Sequence, residues 1–413
     1  MERIGIYGGT FSPPHNGHIA ALRAFAARAG VDRVLVFPAG IPPHKQTAAD
    51  AAPAHRLAMA RLAFSDIPHV EVSDWEMRQP GPSYTVQTLE HLAAPDRELV
   101  LLVGTDMFLT LDHWHRAADL FALAEIYCVR READAEKNAR IAKKITAYRE
   151  QFGARVRLLH EDALVLSSTE LRGIAAGGGD LSLYMPDDVA AYIRANRLYP
   201  MPQAGSISAE ALDALKARLA AEQSPGRFAH TCGVEQTALR IGALCAPAEL
   251  HRIRAAALLH DLTKEYLFEK QLKMTEESGI IVSECEKGSS ALLHAASAAA
   301  LIGADPALAP FADPAVLDAV RWHTTGRAGM SVIEQIIYLA DYIEPTRRYA
   351  ACAALRDAFW AADPAELDMP ARLRHLRRFV VREADLVIRH QLERGEPIAE
   401  NTLHARNWAL MSD

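Results

Sequence analysis

The feature that most constrains this chain is a change of periodicity near residue 200. Before Tyr199-Pro200-Met201-Pro202-Gln203-Ala204-Gly205-Ser206, short apolar runs alternate with helical patterns; after it only helical patterns recur. The segment is punctuated by prolines and a glycine and lacks apolar periodicity, so it reads as a linker. Strands are expected at 3–7, 33–38, 70–72, 98–104, 126–129 and 156–159, with helices between them such as 18–28. That alternation implies a parallel sheet covered on both faces. Beyond the break, helices are expected at 209–222, 228–244, 249–260, 290–302, 314–323, 331–343 and 371–394. A chain of 413 residues exceeds what one hydrophobic core usually supports. The expected organisation is an α/β domain over 1–200, a linker over 201–207 and an all-α domain over 208–413.

Charge narrows the partners. Residues 1–204 carry 22 basic and 24 acidic side chains, and residues 205–413 carry 23 and 28. Neither half has the basic excess of a general nucleic-acid binder, so any phosphate site must be local. The five cysteines, Cys128, Cys232, Cys245, Cys285 and Cys352, form no C-x-x-C pair and read as reduced thiols. The first residues run straight into a strand, and no segment approaches the roughly 18–20 apolar residues of a membrane span. The expectation is a cytoplasmic protein with no nucleic-acid or membrane partner.

The first strand delivers Gly8-Gly9-Thr10-Phe11-Ser12-Pro13-Pro14-His15-Asn16-Gly17-His18 and then a helix. Backbone N–H groups at a helix start are unpaired, and the helix dipole favours an anion there. Gly8 and Gly9 are expected to turn the chain tightly and let a phosphate approach the backbone. His15 and His18 lie three apart around Gly17, so both rings can face one phosphate. Further along, Ser167 and Glu170 have capping-box spacing. Ser168 and Thr169 are then expected to face outward with Arg172 one turn on, which makes a second anion site.

These residues resemble the nucleotidyltransferase superfamily, whose signature is H-x-G-H, and more narrowly the bacterial nicotinate-nucleotide adenylyltransferases. The resemblance spans roughly residues 1–200. It includes Pro38-Ala39-Gly40-Ile41-Pro42-Pro43-His44-Lys45, then Gly81-Pro82-Ser83-Tyr84-Thr85-Val86-Gln87-Thr88-Leu89, then Val103-Gly104-Thr105-Asp106 followed by Trp114, and Leu166-Ser167-Ser168-Thr169-Glu170-Leu171-Arg172. Ser12 departs from the family, which usually has Asp there, and is given no catalytic role. The resemblance implies transfer of AMP from ATP to nicotinate mononucleotide. His15, His18 and Arg172 would be catalytic. Gly8, Gly9, Thr10, Phe11, Ser168 and Thr169 would hold ATP, and Mg²⁺ would travel with it. Lys45, Tyr84, Thr85, Gly104, Asp106 and Trp114 would hold the pyridine nucleotide. The alternative is another nucleotidyltransferase, acting on nicotinamide mononucleotide or phosphopantetheine. The attacking group is already an anion, so positioning and charge neutralisation suffice without a strong base.

In the second half, Ala255-Ala256-Ala257-Leu258-Leu259 runs directly into His260-Asp261. His230, His294 and His323 lie on other helical stretches. Asp341 shares a helical face with Ile337 and is expected to point inward. A buried carboxylate is costly unless it meets a cation or is fully hydrogen-bonded, so converging His and Asp side chains imply a metal. This order resembles the HD-domain phosphohydrolases over about 208–413, and more narrowly those cutting diadenosine tetraphosphate symmetrically into two ADP. Supporting stretches are 260–264, 321–327, 339–345 and 401–407. The resemblance implies His230, His260, Asp261 and Asp341 as ligands of a divalent metal, iron in particular. Lys264, His294, His323, Thr324, Arg347 and Arg406 are assigned to polyphosphate or a second metal. A different HD nucleotidase, or a non-catalytic nucleotide sensor, is the alternative. The other eleven histidines, among them His55, His115, His251 and His375, are read as ordinary core or surface residues.

Overall fold

The computed structural model describes residues 1–42, 51–130, 135–160, 167–199 and 207–412. Six strands form one parallel sheet in the order β3-β2-β1-β4-β5-β6. They are β1 (Glu2–Gly9), β2 (Arg33–Pro38), β3 (Val70–Val72), β4 (Arg97–Gly104), β5 (Ala124–Arg130) and β6 (Val156–His160). The strand order reverses at β1, which pairs with β2 on one side and β4 on the other. In doubly wound sheets the crevice outside the carboxyl ends of the strands at such a reversal is where ligands bind. Gly9 and Gly104 lie at that end, because Tyr7 is in register with Leu102.

Alternation along the strands fixes the faces. Ile4, Ile6, Leu35, Phe37, Leu99, Leu101, Val103 and Ile126 pack into one apolar layer with Phe108, Leu120, Phe121 and Tyr148. The expected glycine turn is not where the chain bends. Gly8 and Gly9 stay in β1, paired with Phe37 and Pro38. The left-handed residue is Phe11, at φ 52°. Its ring is enclosed edge-to-face by Tyr7, His18 and Phe64 at 5.3–5.4 Å, and that packing compensates for a backbone conformation disfavoured outside glycine.

Among the described residues from 207 onward there is no strand. Long helices at Pro225–Cys245, Leu250–Leu259, Ser290–Ala304, Pro314–Trp322, Val332–Ile343 and Met369–Arg394 enclose a second core around Val234, Ile241, Leu258, Ile302, Val320, Ile336 and Phe379. Helices Phe268–Ser278, Ala350–Ala361 and Glu400–Met411 add to the expected set. The chain divides into two compact units, Met1–Arg172 with Leu181–Tyr199, and Gly173–Asp180 with Pro200–Asp413. Of the expected 201–207 linker only Ile207 is among the described residues. It is no linker residue: its side chain is in the second core, and its carbonyl accepts from His251 Nδ1 at 2.6 Å.

Candidate functional site

In the first unit, His15 caps the helix Asn16–Arg28. Its Nδ1 accepts from Gly17 N at 3.1 Å, and His18 Nδ1 accepts from His15 N at 3.2 Å. This is a capping box built from imidazoles. A ring whose Nδ1 accepts a backbone N–H carries its proton on Nε2 when neutral. Both histidines therefore present Nε2–H as a donor, with ring centroids 3.8 Å apart. His15 is only 3% exposed, so its backbone role is locked in.

The second motif is brought onto the same loop. Ser167 and Glu170 make the expected reciprocal cap, at 2.7 Å from Ser167 N and 3.2 Å from Glu170 N. Ser168 Oγ does not face outward as expected; it donates to Pro13 O at 3.1 Å, while Thr169 is exposed. Arg172 donates to Ser12 O at 2.8 Å and to Thr169 Oγ1 at 3.1 Å. Ser12 Oγ lies 3.2 Å from Tyr199 Oη and accepts from Ala51 N at 3.1 Å, a structural part. Arg172 and the two histidines thus share one loop. Gly8 is exposed, and a side chain there would meet none of the described residues within 4 Å; Thr10 is half-buried beside it.

Of the residues assigned to the pyridine nucleotide, Lys45 lies outside the described residues. Tyr84 precedes the helix Thr85–Leu92, its ring 4.3 Å from that of His115. Gly104 ends β4, and Asp106 sits exposed in the short helix Thr105–Phe108 after it. Trp114 is half-buried against the sheet's apolar layer.

In the second unit, one residue from each of several helices converges. His230 comes from Pro225–Cys245, His294 from Ser290–Ala304 and Asp341 from Val332–Ile343; His260 and His323 end the helices before them. His230, His260 and Asp261 form one trio of possible ligands, and Asp261, His294 and His323 a second, with Asp261 common to both. His230 Nε2 is 3.2 Å from His260 Nε2 and 3.1 Å from Asp341 Oδ1. His294 Nε2 is 3.0 Å from His323 Nε2 and 2.9 Å from Asp261 Oδ1. Asp341 is turned inward, its side chain 17% exposed.

The outer contacts orient these rings. His260 Nδ1 donates to Ala257 O and His323 Nδ1 to Val320 O, both at 2.7 Å, and His230 Nδ1 lies 3.0 Å from Glu344 Oε1. A proton held on Nδ1 leaves the lone pair on Nε2, aimed inward. Lone pairs facing across about 3 Å repel unless a proton or cation lies between them. Imidazoles with carboxylates are the donor set of iron, zinc and similar cations. The residues therefore fit a divalent metal. Burial depresses the His294 pKa to about 4, against the pull of Asp261, and also lowers that of His323. His230 goes the other way: burial opposes its charge, but Asp261, Asp341 and Glu344 raise it to about 10. Asp261 and Asp341 resist burial and sit well below the carboxylate range, Asp261 chiefly through His260 and Asp341 through Arg347.

Three cations border the centre. Lys264 Nζ is 3.2 Å from His294 Nδ1, and Arg347 holds Asp341 Oδ1 at 2.5 Å. Arg227, which the sequence reading missed, pairs with Asp261, and its buried Nε has no partner among the described residues. Glu344 is the other omission; it is fully buried and resembles a helix-end residue before Pro345 in sequence. Thr324 Oγ1 is buried beside His323, without a partner among the described residues. Arg406 is instead engaged by Asp385 at 2.8 Å.

A cytidylyltransferase-like family model matches residues 6–174, and an HD-domain model matches residues 227–346. A probable nicotinate-nucleotide adenylyltransferase of Symbiobacterium thermophilum is 39% identical over 201 residues, covering 48% of this chain and 96% of the relative. One of Roseiflexus sp. is 42% identical over 197 residues, with 48% and 97% covered. The crystal structure of a predicted HD superfamily hydrolase involved in NAD metabolism from Clostridium acetobutylicum is 28% identical at a TM-score of 0.42, covering 49% of this chain and 97% of that one. No helix among the described residues is long and apolar enough to cross a membrane. Through its N-terminal half the chain belongs to the nicotinate-nucleotide adenylyltransferase family of NAD biosynthesis, and it continues into an HD domain.

Proposed function

We propose that the chain is bifunctional: its first half joins AMP from ATP to nicotinate mononucleotide, and its HD half hydrolyses a dinucleoside polyphosphate, with diadenosine tetraphosphate giving two ADP. In the first reaction a phosphate oxygen of the mononucleotide attacks the α-phosphorus of ATP, and pyrophosphate leaves. His15 and His18 would donate Nε2–H to the phosphate oxygens at the start of the helix Asn16–Arg28. Arg172, Ser168 and Thr169 would hold the β/γ end, with Gly8, Gly9, Thr10 and Phe11 under the nucleotide and Mg²⁺ brought by ATP. Tyr84, Thr85, Gly104, Asp106 and Trp114, with Lys45, would receive the pyridine nucleotide. Preorganised donors aimed at developing charge are the main source of rate in such transfers.

In the HD half, His230, His260, Asp261 and Asp341 would hold a metal, iron in this reading, and Asp261, His294 and His323 a second. A bound cation supplies a polarised phosphoryl oxygen and a water of lowered pKa. Arg227, Lys264 and Arg347 would neutralise the polyphosphate, with Thr324 as a further contact. Water adds to an inner phosphorus, the central P–O–P bond breaks, and each half leaves as ADP.

The observation carrying the second reading is the doubled ligand set bordered by three cations, which suits a polyanionic substrate. The test is to incubate the full chain with diadenosine tetraphosphate and Fe²⁺ or Mn²⁺ and resolve the products. ADP alone is expected. AMP with ATP, or binding without turnover, would overturn it, the latter in favour of a sensor. Pyrophosphate release from ATP and nicotinate mononucleotide tests the first half in the same preparation.

A further inference from the structure

The loop after β1 and the loop after β2 are tied together by one side chain that belongs to no recognised motif. Arg56 lies in the first turns of the helix Pro53–Phe64 and is 2% exposed. Its Nη1 donates to Thr10 O at 3.0 Å and to Ala39 O at 2.6 Å. Its Nη2 donates to Gly40 O at 2.9 Å and its Nε to Ala51 O at 3.0 Å. Thr10 belongs to the loop assigned to ATP. Ala39 and Gly40 begin the loop after β2, and Ala39 N also donates to Gly9 O at 2.9 Å.

The same β2 loop is hooked to the pyridine segment. Gly40 N donates to Ser83 Oγ at 2.8 Å, and Ser83 N donates to Ile41 O at 2.9 Å. The approach is too close for a side chain at position 40, where a Cβ would fall 2.7 Å from Glu76 O. A chain of contacts therefore runs from the nucleotide loop through Arg56 to Gly40 and on to Ser83, just ahead of Tyr84 and Thr85.

We infer that Arg56 is a positioning residue that holds the ATP loop and the pyridine-nucleotide loop as one rigid unit, so that the two substrates meet at a fixed spacing. A planar guanidinium can serve several carbonyls at fixed angles, whereas an ammonium is a single point donor. In-line transfer between two bound substrates is sensitive to displacements of about 1 Å, which gives such a tie a kinetic consequence. The inference rests on the adenylyl-transfer reading of the first half, so pyrophosphate release by the unmodified chain is the control that separates the two failures.

The experiment compares Arg56→Ala and Arg56→Lys in the full chain. ATP and nicotinate mononucleotide are titrated separately, and melting and HD-half metal content are followed alongside. Arg56→Ala is expected to raise KM for both substrates by roughly tenfold or more and to lower kcat. Arg56→Lys should resemble it, and millimolar guanidinium should restore part of the activity of Arg56→Ala alone. A loss confined to one substrate, full rescue by lysine, or activity falling only in proportion to the folded fraction would each overturn the inference. Should both variants fail to fold, Ser83→Ala keeps the question open to test. It removes the Gly40 N to Ser83 Oγ link beyond Arg56 and leaves the backbone bond from Ser83 N to Ile41 O, so it should raise KM for the mononucleotide and leave that for ATP unchanged; equal rises in both would contradict the proposed order of contacts.

Discussion

The proposed nucleotide site of the first half draws its phosphate-facing groups from two short stretches, 8–18 and 167–172, whereas the proposed metal centre draws six candidate donors from five helices and their ends between residues 230 and 341. In the first, backbone does most of the arranging. His15 and His18 are held by N–H groups two or three residues away, and Arg172 and Ser168 are anchored on carbonyls of Ser12 and Pro13. In the second, His230, His260 and His323 are each aimed by an outer partner, and the candidate ligands meet only once the bundle has closed. Local motifs can therefore set His15 and His18 from within a few residues, while Arg172 and Ser168 reach them only through the fold. A buried multi-ligand centre is as good as the packing that delivers its most distant member.

That contrast can be broken at its strongest points. Asp261 serves both trios, so Asp261→Asn should strip metal from both and reduce binding by more than the roughly 10–100-fold that an outer partner is worth. Elemental analysis of the purified chain measures it. Retention of a full metal complement would show that the two trios do not share a ligand. Pyrophosphate release should be unchanged in the same sample. Conversely, His18→Ala should cut adenylyl transfer by roughly 10²–10³-fold, the usual scale for one lost donor at a charged transition state, while metal content stays the same.

The same contrast explains what could be read from sequence. The six strands fall where alternating apolar runs place them, since the pattern is strong over each short stretch. The motif 8–18 is legible because its parts are contiguous. Yet the turn sits at Phe11 rather than at the glycines, because the ring's burial among Tyr7, His18 and Phe64 is a tertiary fact with no local signal. Helix Phe268–Ser278 is mostly polar, so apolar periodicity cannot mark it. His260 and Asp261 stand out after an apolar run, but Arg227, Glu344 and Arg56 look like ordinary surface or helix-end residues. Their importance comes from partners 34, 114 and up to 46 positions away.

Glu344 sharpens the comparison at intermediate scale. It accepts from Thr346 N at 2.6 Å as well as facing His230, and the space for it exists because residue 233 is glycine. A Cβ at Gly233 would lie 2.2 Å from Glu344 Oε2. Glu344→Gln should weaken metal binding by roughly 10–100-fold through loss of the charge behind His230, and Gly233→Ala should do the same by displacing the carboxylate. Competition with a chromogenic chelator reads both. Unchanged affinity in both variants would mean that His230 is oriented by packing alone.

The smallest expected effect concerns a carboxylate in the first half. Glu76 is buried beneath the segment 81–89, where Thr88 Oγ1 donates to its Oε1 at 2.6 Å. Burial raises its pKa, and the hydrogen bonds from Thr88 and Ser83 only partly offset that. A carboxyl raised in the folded state favours folding most when protonated; its contribution is complete below the unfolded pKa and is lost as pH climbs through the folded value. Glu76→Gln keeps an acceptor for Thr88 without a charge to bury. Its Tm should therefore exceed that of the parent at neutral pH by about 2–4 °C, the shift that roughly 1 kcal/mol gives in a domain of this size. The gain should shrink as the pH falls far enough to protonate Glu76. A variant that melts lower than the parent across that whole range would place the negative charge of Glu76, rather than its shape, among the forces holding the segment 81–89 in place.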